Sequence, residues 1–238
     1  SLIDFHIKEG TDGIVVVGTT GESPTVNVEE HCELISVAVE HSAGRTPIIA
    51  GTGANSTREA IELTEFSRKA GAVAGLSVVP YYNRPTQEGL YQHFKAVAAA
   101  IRITLIVYNV PGRTGTNILP ETVRRLSRLL NVAGIKEAAG DVAQIDTLVR
   151  LIKKDRPDFA ILSGNDDQAF HLVNSGGDGV ISVLSNVMPR ETSDMIRLAL
   201  AGEVEKAREL HHRMFPLMKN LFMESNPIPV KYAVNRLG

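Results

Sequence analysis

The 238-residue chain holds a single cysteine, Cys32. One thiol excludes an internal disulfide and fits a reducing compartment. Neither charge sign dominates. The formal net charge is −2, which gives no electrostatic footprint for nucleic acid or for an anionic membrane. Long apolar runs are missing as well: the best candidate, 96-AVAAAIRITLIVY-108, is broken by Arg102 and reads as a helix end followed by a strand. The opening 1-SLIDFHIKEG-10 has neither a basic region nor an apolar targeting stretch. A GxGxxG turn after the first apolar run and a GKS or GKT loop are both absent, which weakens a nucleotide-binding open sheet. His211 and His212 have no third ligand at a metal spacing and read as a solvated pair, so no metal is expected. A soluble, cytoplasmic protein with one sizeable core is the expectation that remains.

What is present is one unit, repeated. Apolar runs recur at 13-GIVVVG-18, 47-PIIAG-51, 75-GLSVVP-80, 104-TLIVYN-109, 132-VAGIKE-137, 159-FAILSG-164 and 179-GVISV-183. Their length and Val/Ile content fit strands buried on both faces, as in a parallel sheet. Amphipathic stretches lie between them. In 58-REAIELTEFSRKAG-71, Ile61, Leu63 and Phe66 fall near one face, and Gly71 supplies a stop. Asn55-Ser56-Thr57 and Pro120 mark helix starts. Strand then helix, repeated, implies right-handed βα units. The α/β class follows, and of its two architectures a (β/α)8 TIM barrel fits better than an open sheet, because polar residues gather at the strand C-termini. Residues 1–188 are expected to form the barrel and 189–238 a C-terminal helical region, with the second of its helices interrupted near Pro216. Seven strands are visible and the chain opens inside a helix, so the first strand is expected ahead of Ser1. An open seven-stranded arrangement would expose two edges and wet any lysine at the mouth.

Such a lysine exists. Lys136 ends an apolar run and is followed by small residues. Either it is a desolvated amine able to attack a carbonyl as a Schiff-base nucleophile, or it is a solvated strand-end lysine paired with Glu137. Tyr108 ends its own run, where a phenol can pass a proton, and a packing tyrosine is the plain alternative. Arg113 sits in a Pro-Gly turn, where its guanidinium can grip a carboxylate in two places or simply face solvent. In 18-GTTGES-23, Thr19, Thr20 and the backbone amides suit a small carboxylate, and a tight turn before a helix is the simpler reading. Tyr82, in a loop stiffened by prolines, offers a second phenol.

Together GTTGES, PYYNRPTQEGLYQHF, YNVPGRTG, GIKEA, SGNDD, GGDGVISV and NPIPVK resemble the dihydrodipicolinate synthase and N-acetylneuraminate lyase family of pyruvate-dependent enzymes, from Ile14 to the last residues and in family order. The resemblance implies a class I aldol condensation. Lys136 would form a covalent imine with pyruvate, and the derived enamine would add to L-aspartate 4-semialdehyde, giving 4-hydroxy-tetrahydrodipicolinate for lysine and diaminopimelate biosynthesis. It also implies roles. Tyr108, Thr19 and Tyr82 form a proton relay, Tyr82 reaching a neighbouring subunit's site in a homotetramer built as a dimer of dimers. Thr20 contacts the pyruvate carboxylate, Arg113 receives the semialdehyde carboxylate, and Gly164 and Ile181 line the pyruvate pocket. No cofactor is implied beyond the imine on Lys136. Further helices are expected after Gly238. His31, Asn55, Glu59 and Tyr81 match a lysine-regulatory site, with Val28 where sensitive bacterial members can carry histidine.

Two other functions stay open at this level: an aldolase or lyase of 2-keto-3-deoxy sugar acids or sialic acid, and a catalytically silent barrel that binds ligands. Arg113 favours the synthase. Asp166 and Asp167 could suggest a metal, but 165-NDD-167 at a strand-to-helix junction reads as a cap and dipole partner. Cys32, flanked by Glu30 and Glu33, is assigned no catalysis.

Overall fold

The computed structural model describes residues 1–238. Seven parallel strands pair in chain order: β1 (Ile14–Val16), β2 (Ile48–Gly51), β3 (Ala74–Val78), β4 (Thr104–Asn109), β5 (Val132–Glu137), β6 (Ala160–Ser163) and β7 (Gly179–Val180). The helices are α1 (Leu2–Glu9), α2 (Val28–Ser42), α3 (Thr57–Ala70), α4 (Gln87–Ala100), α5 (Pro111–Thr114), α6 (Pro120–Leu126), α7 (Val142–Ile152), α8 (Asp166–Asn174), α9 (Pro189–Leu200), α10 (Val204–Asn220) and α11 (Ile228–Leu237). This is the curled βα sheet expected of a TIM barrel. β4 shows why its run has no polar alternation: Leu105 to Asn109 are buried on both faces.

Caps set the helix ends. Asn27 and Glu30 form a reciprocal capping box at α2, and Ser56 accepts from the Glu59 amide at α3. Gly71, at φ 100°, stops α3 in a conformation glycine reaches without a Cβ penalty. The buried face of α3 is Ala60, Leu63, Thr64 and Ser67, with Ile61 and Phe66 only half-buried, a rotation away from the expected apolar stripe. Small residues there let α3 lie close against its neighbours. The main core fills the space between strands β4–β6 and their covering helices, with Phe94, Ile135, Phe159 and Ile161 among its members.

Three local readings are corrected. β1 ends at Val16 because Val17 turns to φ 52°, which is unusual for a β-branched residue. The turn is accommodated by Gly51, where a Cβ would overlap the Val17 carbonyl oxygen. β7 ends at Val180, not Val183, because the chain turns into a 3-10 turn at Leu184–Asn186. That turn is fastened from outside: Asp166 accepts from the amides of Val183 at 3.0 Å and Leu184 at 2.9 Å. Finally, α10 runs unbroken through Pro216. A helical proline forfeits one donor, and here the apolar stripe of Ala207, His211, Met214 and Met218 keeps the helix seated.

β1 and β7 share no hydrogen bonds, so the sheet has a seam. α1 spans its outside, touching α2 on one flank and α9 with the 184–186 turn on the other. Ion pairs from Asp4 to Arg45 at 3.0 Å and from Glu9 to Arg190 at 2.7 Å fasten the two flanks. Such exposed pairs contribute about 0–1 kcal/mol each and orient α1 more than they hold it. No helix is long and apolar enough to cross a membrane.

Candidate active site

The carboxyl ends of β4 and β5 bring Tyr108 and Lys136 together as register partners. Lys136 Nζ lies 4.4 Å from the centre of the Tyr108 ring. Both side chains are buried, Lys136 at 9% and Tyr108 at 7% exposure. Burial lowers the Lys136 pKa from 10.5 to about 8; the Asp166 charge pulls it upward and Arg113 downward. Burial also raises the Tyr108 phenol, against the smaller opposing pulls of the Thr19 hydroxyl and the Arg113 charge. The solvated-lysine reading fails on both counts, as does the expectation that seven strands would wet the amine.

Glu137 is not its ion-pair partner. One residue on, its side chain takes the opposite face of β5 and accepts from Asn109 Nδ2 at 3.0 and 3.1 Å, Gln144 Nε2 at 2.9 Å and the Ala139 amide at 2.6 Å. Asn117 joins the same network, accepting from Asn109 at 2.7 Å and Gln144 at 3.1 Å. Burial pushes the Glu137 pKa up, and these donors work against that rise. The network ties the ends of β4 and β5 to α7 behind the two reactive groups.

Glycine is required at 164. A Cβ there would stand 2.7 Å from the Ala138 Cβ and 3.0 Å from the Lys136 Cε. Thr20, Arg113, Lys136, Gly164 and Ile181 all line one cavity of about 820 Å³. A second cavity of about 960 Å³ shares Thr19, Tyr108 and Arg113 with it and carries Tyr82 at its rim. Tyr82 is 91% exposed at φ 72°.

Of the regulatory candidates, His31, Glu59 and Tyr81 line the second cavity. His31 is buried with Nε2 2.7 Å from the Gly51 carbonyl, and Asn55 Nδ2 donates to the Tyr81 carbonyl at 3.3 Å. Asn165 is the N-cap of α8, with Asp166 and Asp167 in its first turn as expected; Asp166 also accepts from loop amides, and Asp167 pairs with Lys219 at 2.9 Å. His211 is buried, its ring stacked on Phe170 at 5.3 Å, because position 211 falls on the apolar face of α10; His212 alone is solvated. Cys32 has its pKa raised first by burial and then by Glu29, not by the glutamates flanking it.

Asn226 was missed as an individual residue. Its Nδ2 donates to Thr20 Oγ1 at 2.9 Å, and its carbonyl accepts from Arg113 Nη2 at 3.3 Å. Its motif, NPIPVK, offered no chemistry of its own, since the contact depends on chain ends meeting in space.

A buried amine facing a buried phenol at the C-terminal mouth of a βα sheet defines a barrel enzyme equipped for chemistry on carbonyl groups. The comparisons with known proteins make this particular. The model of the dihydrodipicolinate synthetase family matches residues 1–238. The 4-hydroxy-tetrahydrodipicolinate synthase of Kosmotoga olearia is 58% identical over 237 residues, covering 100% of this chain and 81% of that relative. The crystal structure of dihydrodipicolinate synthase from Thermotoga maritima superposes with a TM-score of 0.97 at 50% identity, covering 100% of this chain and 81% of that one. A chloride-inhibited dihydrodipicolinate synthase from Acinetobacter baumannii, crystallised with pyruvate, gives 0.96 at 48% identity, with 100% and 80% covered. The chain belongs to the dihydrodipicolinate synthetase family, and it is an enzyme of that family.

Proposed function

We propose that the chain condenses pyruvate with L-aspartate 4-semialdehyde to give 4-hydroxy-tetrahydrodipicolinate. The observation that carries this reading is the buried Lys136 amine, its pKa lowered to about 8, 4.4 Å from the Tyr108 ring. The neutral amine attacks C2 of pyruvate, water leaves, and an imine joins Lys136 to the former carbonyl carbon. Loss of a proton from C3 gives the enamine, whose carbon attacks the aldehyde of the second substrate. Attack of the product's own amino group on the imine carbon closes the ring and returns Lys136 as a free amine. The protonated imine is itself the electron sink, so the mechanism needs no cofactor.

The remaining residues take the roles their positions support. Tyr108 moves protons at the imine and at the new alkoxide, with Thr19 as its first relay partner. Thr20 meets the pyruvate carboxylate, while Gly164 and Ile181 shape the pocket around it. Arg113, on α5 at the rim, receives the semialdehyde carboxylate. Tyr82 acts from a neighbouring subunit of a homotetramer, which suits a phenol standing 91% exposed on its own chain. L-Lysine binding by His31, Asn55, Glu59 and Tyr81 would place regulation in the cavity that also reaches Tyr108.

The test is reductive trapping. Borohydride with pyruvate should add to Lys136 the mass of pyruvate less one oxygen, because water leaves as the imine forms and two hydrogens are gained on reduction; peptide mass spectrometry reads this, and Lys136→Ala should abolish it. Turnover should then require L-aspartate 4-semialdehyde and fail with sugar-acid substrates. Absence of an adduct rejects the mechanism; turnover of sugar acids in its place rejects the acceptor.

A further inference from the structure

Asn226 lies between α10 and α11 and is 7% exposed. It reaches Thr20 and Arg113, the two residues assigned above to the two substrate carboxylates, through different groups. Its side-chain Nδ2 donates to the Thr20 hydroxyl oxygen, whereas its backbone carbonyl accepts from Arg113. Lys231, on α11, adds a second fastening, pairing with Glu22 at 2.8 Å. The C-terminal segment is therefore tied to the 18–23 turn at two points.

A threonine hydroxyl carries one proton and two lone pairs. With an amide N–H donated into one lone pair, the hydroxyl proton is left uncommitted, and Thr20 lines the cavity that contains Lys136. A carboxylate only accepts, so a threonine that is to hold one must present that proton. We infer that Asn226 is a positioning residue that fixes Thr20 as a hydrogen-bond donor to the pyruvate carboxylate, making the α10–α11 turn a wall of the pyruvate site. The inference rests on the pyruvate reading proposed above.

Asn226→Ala separates the two contacts, because it deletes the side-chain donor and keeps the carbonyl that faces Arg113. Losing an oriented hydrogen bond to a charged group corresponds to about tenfold or more in affinity. The pyruvate concentration giving half-maximal trapping on Lys136 should rise by about that factor in Asn226→Ala, with the KM for L-aspartate 4-semialdehyde within about twofold of wild type. Asn226→Asp, whose carboxylate draws the Thr20 proton to itself, should be worse than Asn226→Ala for pyruvate. Adding Asn226→Ala to Thr20→Val should cost little beyond Thr20→Val alone, since the two act as one unit.

A purely structural Asn226 would weaken both substrates together and would multiply with Thr20→Val. Either result overturns the inference, as does unchanged pyruvate saturation in Asn226→Ala. If wild type itself forms no adduct, the proposed function falls and takes this inference with it. If wild type traps normally and the coupling is absent, the inference alone falls.

Discussion

Titrating Lys136 is the most direct test of the site's physics. An ordinary lysine at 10.5 is neutral in only about 0.03% of molecules at pH 7, whereas a pKa of about 8 leaves about 10% neutral, roughly a 300-fold gain in nucleophile. Only the neutral amine attacks, so the initial rate of borohydride-trapped adduct formation at subsaturating pyruvate should rise with pH and level off through a midpoint near about 8. The charged neighbours give the sign of two variants. Asp166→Asn removes the charge that pulls the amine upward and should lower the midpoint; Arg113→Met removes the charge that pushes it down and should raise it. Burial is the largest cause, so both displacements should be smaller than the distance from the ordinary lysine value. Rates would be followed by intact mass at matched ionic strength. A wild-type midpoint above about 10, in the range of a free lysine, would refute the claim that desolvation activates this amine.

The same burial has a stability cost. Since the folded pKa is depressed from 10.5 to about 8, the unfolded chain binds more protons between those values; the penalty is full below pH 8 and disappears as pH rises through 10.5. Lys136→Met should therefore be more stable than wild type by up to about 3 kcal/mol near pH 7 in urea melts, with the gap closing in alkali. His93 gives the acid counterpart: burial lowers its pKa from 6.5 to about 4, and its Nε2 has no hydrogen-bond partner. Its contribution is present above pH 6.5 and lost as pH falls to about 4, so His93→Gln should flatten that part of the stability-pH curve by up to about 3 kcal/mol. Gly164→Ala would put a Cβ 3.0 Å from the Lys136 stem; the chain should stay folded by circular dichroism while trapping slows about a hundredfold.

The sequence made the strands legible because each is a short apolar run, and it made the mouth legible because chemistry-bearing residues follow those runs. β4 and β5 have the bounds their runs predict, and Tyr108 and Lys136 meet as strand partners. What stayed hidden depends on long-range geometry. Nothing near Val17 announces a positive φ; the cause lies on β2, where Gly51 leaves the room. Likewise, the stretch 165-NDD-167 reads locally as a cap and dipole partner, which it is, but nothing local shows that Asp166 also accepts from amides of the β7 loop. His211 beside His212 reads as polar surface until the stripe of Ala207, Met214 and Met218 sets which face of α10 is buried. Asn226 matters only because the chain returns to Thr20 after some two hundred residues.

The expectation that an unclosed sheet must wet the lysine treated dryness as a property of the whole barrel. In the structure it is local. Lys136 lies on β5, with β6 between it and the edge strand β7, and β4 on its other side. Its cover comes from the Tyr108 ring and from the close approach of Ala138 at Gly164, all at the ends of β4–β6 and the turns that follow them. The network around Glu137 fixes the β4–β5 register from behind, and Asp166 fixes the loop after β7 from the side. These constraints act within a few residues of the amine, whereas the seam between β1 and β7 lies at the far side of the same cavity, where Leu2, Ile3 and His6 of α1 line it. Desolvation weakens with distance from the low-dielectric wall, so the nearest shell decides the pKa and the far edge contributes little. A lysine can therefore remain 9% exposed, with its pKa lowered to about 8, in a sheet whose first and last strands do not pair.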